Sequence, residues 1–350
     1  MDAKGQVLMD PITQGALGAV TAQSFSSREW MKHALLAGTL GGMAADLDVL
    51  IRSSSDPLLA IEYHRHFTHS LIFIPFGGAL VGLLLSLFLR NWSRRKLILF
   101  SVIGYATHAL LDACTSYGTQ LLWPFSNMRV AWHNVGIVDP IPTLAWICGS
   151  VFAYRTGRKR LAHLGLAIGI LYLIFGVVQR ERAADIQKDL LASRGHESVR
   201  REVKPTVLQL LVWRSTYEFE GRFYSDAIYV GLTPRWYEGA SVQKFDRKRE
   251  LPNLQDDSVL AHDIDRFTWF SDGWVGLHPR IEMDGKIVLG DIRYALLPQE
   301  IDPLWGIVFD PQATDQHSEY ETFRSPSSEK WGEFRALMMG SEISAETKRL

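Results

Sequence analysis

The chain has 350 residues, a formal net charge of -1 and two cysteines. This length leaves room for about two domains, and the near-neutral charge excludes a simple electrostatic nucleic-acid binder. Cys114 and Cys148 both lie in apolar stretches, so they favour neither a disulfide framework nor a cysteine-type zinc site. We therefore expect no nucleic acid among the partners.

The two halves of the chain differ in composition. Residues 1–180 are dominated by long apolar runs, whereas residues 181–350 mix charged and apolar side chains as soluble domains do. We expect a polytopic α-helical membrane domain over 1–180, which carries any intramembrane site, followed by a small soluble α+β domain over 181–350.

Apolar runs follow one another through the first half. The segments 11–25 and 34–51 come first; they are short or interrupted by Asp46 and Asp48, so whether they span stays open. The later runs are Leu71–Leu89, Leu97–Tyr117, Ile137–Tyr154 and Leu161–Val178. A helix of about 20 apolar residues crosses about 30 Å of hydrocarbon. The sequence therefore predicts about four to six apolar helices, four of them spans.

Basic residues are concentrated in alternate loops of this half. They lie at Arg28 and Lys32 and within residues 90–96 and 155–160. The opposite loops, 52–70 and 118–136, hold only Arg52, Arg65 and Arg129. Because short basic loops stay in the cytoplasm, we expect the opposite loops and the soluble domain on the outer face.

Histidine and aspartate side chains interrupt the apolar half, and under this topology they all fall at the outer face. They are Asp46, Asp48, His64, His66, His69, His108, Asp112 and Asp139. Each buried charge costs about 2.5–3.5 kcal/mol on insertion scales, which a divalent cation would offset for several groups together. Mixed imidazole and carboxylate ligands favour zinc, with manganese or iron as alternatives, over calcium or magnesium. The pattern predicts a metal site.

Other interpretations of these residues remain open. For any single histidine, a helix cap or an interfacial hydrogen bond competes with ligation, and the whole set could be structural. His66 points differently from His64 and His69 in any regular conformation, so it is not expected to be a ligand. Arg65 is predicted to be an interfacial or carboxylate-pairing residue. The sequence contains no nucleophile elbow, Walker loop or dinucleotide-binding glycine motif.

Several motifs resemble, in their order, those of a known family. They are Met9–Gly18, Asp46-Leu-Asp48, His64–Leu71, Thr107–Asp112, Tyr117–Ser126 and Asp139-Pro140. Over about residues 9–180 they resemble the YdjM-like family, LexA-regulated inner-membrane proteins described as metal-dependent hydrolases. The resemblance implies a multi-pass protein of the bacterial inner membrane. It also implies a metal site built from Asp46, Asp48, His64, His69, His108 and Asp112.

The chain departs from this family pattern at three positions. His66 stands where the motif usually has glycine, and Ala45 stands where a proline often precedes the aspartate. Gln14 replaces a histidine that many relatives carry. Because glutamine is a poor metal ligand, the resemblance implies a site that is short of one nitrogen.

We expect the function to be that of a membrane-bound metal-dependent hydrolase. Metal-activated water would attack an ester or phosphoester, with Asp46 and Asp112 as the catalytic pair and one of them as general base. Membrane lipids are the expected partners, and a lipid-like substrate suits a site at headgroup depth. Two alternatives remain: a non-enzymatic metal-binding or transport protein, and a membrane scaffold whose soluble domain binds a partner.

The soluble half is predicted to contain an antiparallel sheet. Alternating apolar and polar residues predict strands within Leu208–Tyr217, Arg222–Gly231, Lys286–Leu297 and Trp305–Phe309. Asp257–Phe270 has the spacing of an amphipathic helix. Residues 179–201 are charged at helical spacing, which predicts a helix that leaves the membrane.

Overall fold

The computed structural model describes residues 10–198, 200–278, 285–341 and 347–349. Met9, the first residue of the first family motif, lies outside the described residues. The helices of the first half are α1 (Pro11–Ser24), α2 (Met31–Met43), α3 (Leu59–Tyr63), α4 (Ile74–Phe88), α5 (Arg94–Cys114), α6 (Pro140–Thr156) and α7 (Lys159–Arg194). Short 3-10 turns lie between them at Arg28–Trp30, Ala44–Leu50 and Phe67–His69.

Two helices, α5 and α7, are long and apolar enough to cross a membrane. A third candidate is the pair formed by Leu59–His69 and α4, which bends by 89° at a short break. Helices α1 and α2 have 14 and 13 residues, or about 20 Å of length, which is less than the hydrocarbon thickness. The structure thus supports two to three candidate spans, and the predicted number of four to six is not confirmed.

Helices α1 and α6 begin in the same way. Each is preceded by an aspartate, Asp10 or Asp139, whose side chain accepts a hydrogen bond from the second backbone N–H of the helix at 3.1 Å, and each has proline in its first position. The hydroxyls of Thr13 and Thr143 lie 2.6 Å apart. The starts of α1 and α6 are therefore neighbours at one end of the helical bundle.

Glycines bring α1, α2 and α5 into close contact. A Cβ atom on Gly104 of α5 would lie 2.2 Å from the carbonyl oxygen of Gly38, and one on Gly42 would lie 2.6 Å from that of Gln14. No larger residue fits at these crossings, which is how small residues let apolar helices approach each other. This approach brings the backbone of α2 within reach of side chains on α5.

The helical half has two distinct ends. At one end Lys96 lies over the ring of Trp30 and Lys32 over that of Trp92, so two of the predicted basic loops are adjacent. At the other end of α5 lies Asp112, about 27 Å from Arg94 along the helix axis. The sides between these ends expose many apolar side chains, for example Phe76, Leu80, Leu84 and Leu87 of α4. Such a surface suits contact with lipid.

Helix α7 connects the two halves without a break. It has 36 residues and joins the predicted span Leu161–Val178 to most of the charged segment that follows it. Near its end, Ala183, Ile186 and Leu190 pack against Trp213 and Ile228 of the soluble half. The soluble half therefore lies at the same end of the bundle as Asp112.

The soluble half is rich in β-structure. Its strands are β1 (Arg201–Pro205), β2 (Val212–Phe219), β3 (Arg222–Tyr229), β4 (Arg235–Tyr237), β5 (Ser241–Gln243), β6 (Val275–Leu277), β7 (Ile287–Asp291), β8 (Trp305–Phe309), β9 (Glu319–Thr322) and β10 (Thr347–Arg349). Its helices are α8 (Arg247–Glu250), α9 (Val259–Phe270) and α10 (Ser328–Met338). Three of the four predicted segments contain a strand, as β3, β7 and β8, and the fourth overlaps β2, which extends two residues beyond Tyr217. Helix α9 lies within the predicted amphipathic segment.

The strands form two antiparallel sheets. One has the order β1-β2-β3-β4-β10 with β5 paired to β3, and the other has the order β6-β7-β8-β9. Ile264 and Phe267 of α9 pack on the second sheet in a core that also contains Tyr117 from the helical half. A shared apolar core therefore holds the soluble half against the end of α5.

Candidate metal centre

All six residues of the predicted metal site lie together beside the C-terminal end of α5. Asp46 and Asp48 come from the 3-10 turn that follows α2, and His64 follows α3. His69 ends the second short turn, while His108 and Asp112 lie one helical turn apart on α5. Four separate segments of the chain thus converge on one point.

Four ligand atoms face each other at the centre. The Nε2 atoms of His69 and His108 are 3.0 Å apart. Asp46 Oδ1 lies 3.6 Å and 3.3 Å from these two nitrogens, and Asp112 Oδ2 lies 3.2 Å and 3.5 Å from them. In a tetrahedral zinc site, neighbouring ligand atoms lie about 3.3–3.6 Å apart. Three of the five measured separations lie in this range, and the other two, 3.0 Å and 3.2 Å, are slightly shorter.

The hydrogen bonds around the two histidines fix which nitrogen carries the proton. His108 Nδ1 lies 2.6 Å from the carbonyl oxygen of Gly42, which can only accept, so Nδ1 donates. The Thr68 hydroxyl donates to Asp48 Oδ2, which leaves its lone pair to accept from His69 Nδ1 at 3.0 Å. In its neutral form each ring therefore presents the Nε2 lone pair toward the centre, the arrangement that such outer contacts give to metal-binding histidines.

With both imidazoles neutral, the nearby positive charge is that of Arg65, which contacts one of the four atoms, Asp112 Oδ2. Two imidazole lone pairs and two carboxylate oxygens converge, and neither oxygen of Asp46 has a hydrogen-bond partner among the described residues. Burying such groups without a partner is strongly unfavourable. A divalent cation at the centre would satisfy all four atoms, so these residues fit a metal ion.

Asp112 also contacts two residues that do not belong to the central four. Gln14 Nε2 donates to Asp112 Oδ1 at 2.8 Å, and Arg65 Nε lies 3.1 Å from Asp112 Oδ2. Arg65 is fully buried and pairs with a carboxylate, as one of its two predicted roles required. Gln14 thus acts on the site through Asp112, whereas its own Oε1 has no hydrogen-bond partner in the described part of the chain.

Arg65 adopts an unusual backbone conformation. Its φ of 60° lies in the left-handed region, which non-glycine residues rarely occupy. This conformation lets its backbone N–H donate to Asp48 Oδ2 at 2.9 Å while its side chain reaches Asp112 and lies over the ring of Tyr117. One residue therefore ties together two of the aspartates, and local strain of this kind concentrates at functional sites.

Asp48 and His64 form a second pair beside the central four atoms. Asp48 Oδ1 lies 2.9 Å from His64 Nδ1, and its Oδ2 accepts from Arg65 and Thr68. Burial acts to raise the pKa of the Asp48 carboxyl, but its contacts with His64 and His69 outweigh burial and hold that pKa well below its usual value. Both residues can also join Asp46 around an ion. Their direct ligation remains a prediction.

Access to the centre runs past Asp46. Its side chain is 12% exposed, whereas those of His69, His108 and Asp112 are fully buried. The same short turn carries Leu47 and Leu50, which are 61% and 73% exposed. The one accessible ligand therefore lies next to apolar side chains that face outward.

Two polar residues of the apolar half lie outside the centre. The ring of His66 lies near those of Tyr63 and Trp123, in agreement with its predicted absence from the ligand set. Asp139 caps α6 and accepts a hydrogen bond from Tyr172 at 2.7 Å. Asp139 therefore caps a helix, which was the structural alternative to metal ligation.

The sequence analysis missed two contributors to the site. Thr68 stands directly beside His69 in the motif, and its hydroxyl group was the available signal. The carbonyl oxygen of Gly42 carried no such signal, because any residue has a carbonyl group and its role depends on how α2 packs against α5.

Comparison with known proteins identifies the same family that the motifs resemble. The family model described as YdjM inner membrane protein matches residues 9–183. Inner membrane protein YbcI of Escherichia coli (strain K12) is 35% identical over 124 residues, which cover 34% of this chain and 69% of that protein. Uncharacterized protein YfhP of Bacillus subtilis (strain 168) is 25% identical over 196 residues, which cover 55% of this chain and 58% of that protein.

No solved structure matches the chain. The alignment with YfhP spans little more than half of that protein, and both curated relatives match only part of this chain. The family match nevertheless takes in every motif that supplies the centre, from the helix that carries Gln14 to the end of α5. The chain belongs to the YdjM inner membrane protein family.

Proposed function

We propose that the chain is a membrane-bound metal-dependent hydrolase that cleaves an ester or phosphoester of a lipid-like substrate. The observation that carries this proposal is the set of four inward-facing acceptor atoms, from His69, His108, Asp46 and Asp112, at tetrahedral separations. Zinc suits two imidazoles and two carboxylates best, with manganese or iron as alternatives.

The bound ion would supply Lewis acidity, which polarises the ester oxygen and lowers the pKa of a coordinated water to about 7. Asp46 is suited to accept the proton, because its Oδ1 faces the histidines while its Oδ2 has no hydrogen-bond partner among the described residues. Asp112 is less suited as a base, since Arg65 and Gln14 stabilise its charged form. Its expected role is to hold the centre together.

The surroundings of Asp46 support the proposed substrate class. Exposed Leu47 and Leu50 flank the accessible ligand, so a substrate with an apolar tail would gain from contact there. We further propose a multi-pass topology in the inner membrane, with the centre and the soluble half on the periplasmic side. The support is that the basic loops lie at the opposite end of α5.

A non-enzymatic metal-binding role is the second candidate. The observation in its favour is that four protein ligands fill a tetrahedron, whereas catalytic zinc sites usually keep one position for water. The hydrolase proposal therefore requires either a fifth ligand position on the Asp46 side or a ligand that gives way to water.

Metal analysis of purified protein is the first test. Asp46→Ala and His69→Ala should each remove most of the bound ion, because each deletes one of the four converging atoms. His66→Ala is a matched control, because it deletes a neighbouring imidazole that lies outside the centre and should leave the metal content unchanged. Stoichiometric metal in both site variants would refute the site.

A panel of phosphodiester, phosphomonoester and carboxylester lipids then separates the two candidates. Hydrolysis by the metal-loaded protein, lost in Asp46→Asn and kept in His66→Ala, is the result expected of the hydrolase. Full metal loading without turnover of any of these esters would favour the metal-binding role instead.

A further inference from the structure

A cavity of about 680 Å³ lies between the helical half and the soluble half. Its walls come from both: Pro11, Ile137 and Val138 on one side, and Leu296, Leu304 and Phe334 on the other. This volume lies within the usual range for sites that bind small molecules. The cavity is separate from the metal centre, although Ser116, which lines it, follows Asp112 by only four residues.

Basic side chains line this largely apolar cavity. Lys204 Nζ contacts Glu202 at 2.5 Å, and Arg293 contacts Asp291 at 2.6 Å, so these two cations are neutralised. Arg214 donates to carbonyl oxygens, three of them in residues 297–300, and forms none of the ion pairs found among the described residues. Its guanidinium is therefore held by carbonyl oxygens and makes no direct contact with a carboxylate among the described residues.

Arg324 is the least compensated of these cations. Its Nε and Nη2 atoms are buried at the cavity and have no hydrogen-bond partner in the described part of the chain. Burial also lowers the pKa of Arg324, which shows the cost of keeping its charge there. The one acidic residue in the lining is Asp10, and its carboxylate already accepts from Ile12 N and the Thr13 hydroxyl. The cavity thus combines apolar walls with unbalanced positive charge.

The cavity lies at the level where the apolar helices end. Ile12 and Ile141, at the starts of α1 and α6, are 63% and 51% exposed. Val138 and Val207 line the cavity and are themselves 39% and 41% exposed. Apolar side chains therefore continue from the cavity to the outer surface of the bundle, where a lipid chain would meet it.

We propose that this cavity binds one anionic amphiphile, a membrane lipid whose acyl chain lies along the apolar walls and whose acidic headgroup pairs with Arg324 and Arg214. Burial of the acyl chain's methylene groups against the apolar walls is favourable, and charge-assisted hydrogen bonds from guanidinium groups favour phosphate or carboxylate. A free phosphate would leave the apolar walls uncovered, and an uncharged lipid would leave Arg324 without a partner. The site does not depend on the metal-dependent reaction.

Lipid binding by the full chain in neutral nanodiscs tests this inference. The probe is a fluorescent phosphatidylglycerol, compared with the equivalent phosphatidylcholine and with inorganic phosphate as a competitor. We expect one phosphatidylglycerol per chain, bound at least about tenfold more tightly than phosphatidylcholine, and no competition by phosphate. Equal binding of the two lipids, or displacement by phosphate alone, would overturn the proposal.

Variants separate this site from its surroundings. Arg324→Gln should weaken phosphatidylglycerol binding about tenfold, and Ala295→Trp should block it by filling the cavity. Arg201→Gln removes an exposed cation at the start of β1 and is the matched control, expected to bind normally. If Ala295→Trp does not fold, Arg324→Gln alone decides, and wild-type affinity in that variant contradicts the inference. Asp46→Asn should keep full lipid binding, so failure of the metal proposal and failure of this one are distinguishable.

Discussion

Arginines of the soluble half such as Arg293 and Arg194 pair with carboxylates, whereas the Asp46 carboxylate at the centre of the helical half pairs with no arginine or lysine among the described residues. In the soluble half Arg293 contacts Asp291 at 2.6 Å and Arg194 contacts Asp226 at 2.8 Å, in each case through more than one hydrogen bond. In the helical half the acceptor atoms of Asp46 and His108 face each other without a donor between them.

This difference separates two uses of buried ionic groups. A paired set holds a fold together and needs nothing further, whereas an unpaired set of acceptors costs stability until a cation arrives. The centre is therefore expected to be a site of function, at a cost in stability that the rest of the helical packing supports.

The largest expected effect comes from breaking a balanced pair. Asp291→Ala leaves the buried guanidinium of Arg293 without its carboxylate and should lower the free energy of unfolding by about 3–5 kcal/mol. Asp272→Ala is the control, because this carboxylate is 78% exposed where it meets Arg200 and should cost less than about 1 kcal/mol. Thermal unfolding of the purified chain in detergent, followed by tryptophan fluorescence, measures both. Similar losses in the two variants would contradict the distinction.

At the metal centre, removal of a carboxylate charge is expected to raise the free energy of unfolding of the metal-free chain. With chelator present, Asp46→Asn should be more stable than the wild-type chain by about 0.5–2 kcal/mol, because it removes one negative charge and adds a donor facing two imidazole lone pairs. Added zinc should then stabilise the wild type and leave the variant nearly unchanged. Unfolding midpoints with and without the ion provide the measurement.

Asp139→Asn is the matched control for this test. The Asp139 carboxylate already accepts hydrogen bonds from Ile141 N and the Tyr172 hydroxyl, so its loss should destabilise the chain equally with and without metal. If Asp46→Asn is less stable than the wild type in the presence of chelator, the Asp46 carboxylate makes a stabilising contact in the metal-free chain, which contradicts the prediction.

The parts of the centre that the sequence predicted are those with a local pattern. His108 and Asp112 share a helix face because they are four residues apart, and the cluster around His64 and His69 stands out within an apolar half. The role of Arg65 as a link between Asp48 and Asp112 was not predictable, because it depends on a left-handed backbone that nothing in the local sequence requires.

In the fold as well, features with a local sequence pattern were predictable, and features that depend on distant residues were not. The apolar runs predicted the positions of the main helices. The boundary at residue 180 reflected a change of composition and not of conformation, since α7 continues through it without a break. Pairing of β10 with β4 joins residues more than a hundred positions apart, and local alternation carries no information about such a partner. Short strands such as β5 are fixed by their neighbours in the sheet.

The smallest expected effect lies at the boundary between the two halves, where His133 sits in the loop before α6. Burial, followed by the nearby charge of Lys204, lowers the pKa of His133 to about 4 from its ordinary 6.5. Between these two pH values the unfolded chain binds a proton at this site that the folded chain does not, so stability falls as the pH drops. Keeping His133 neutral therefore costs no stability well above pH 6.5, where the histidine of the unfolded chain is neutral as well.

His133→Asn should remove this contribution. Compared with the variant, the wild-type chain is expected to lose about 1 kcal/mol more of its unfolding free energy between pH 6.5 and pH 5.5. The comparison of the two proteins cancels the titration of carboxylates that both share. Denaturant unfolding at both pH values provides the measurement. Parallel pH profiles would mean that His133 binds its proton as readily in the folded chain as in the unfolded chain. The boundary between the two halves would then tolerate a charged imidazole.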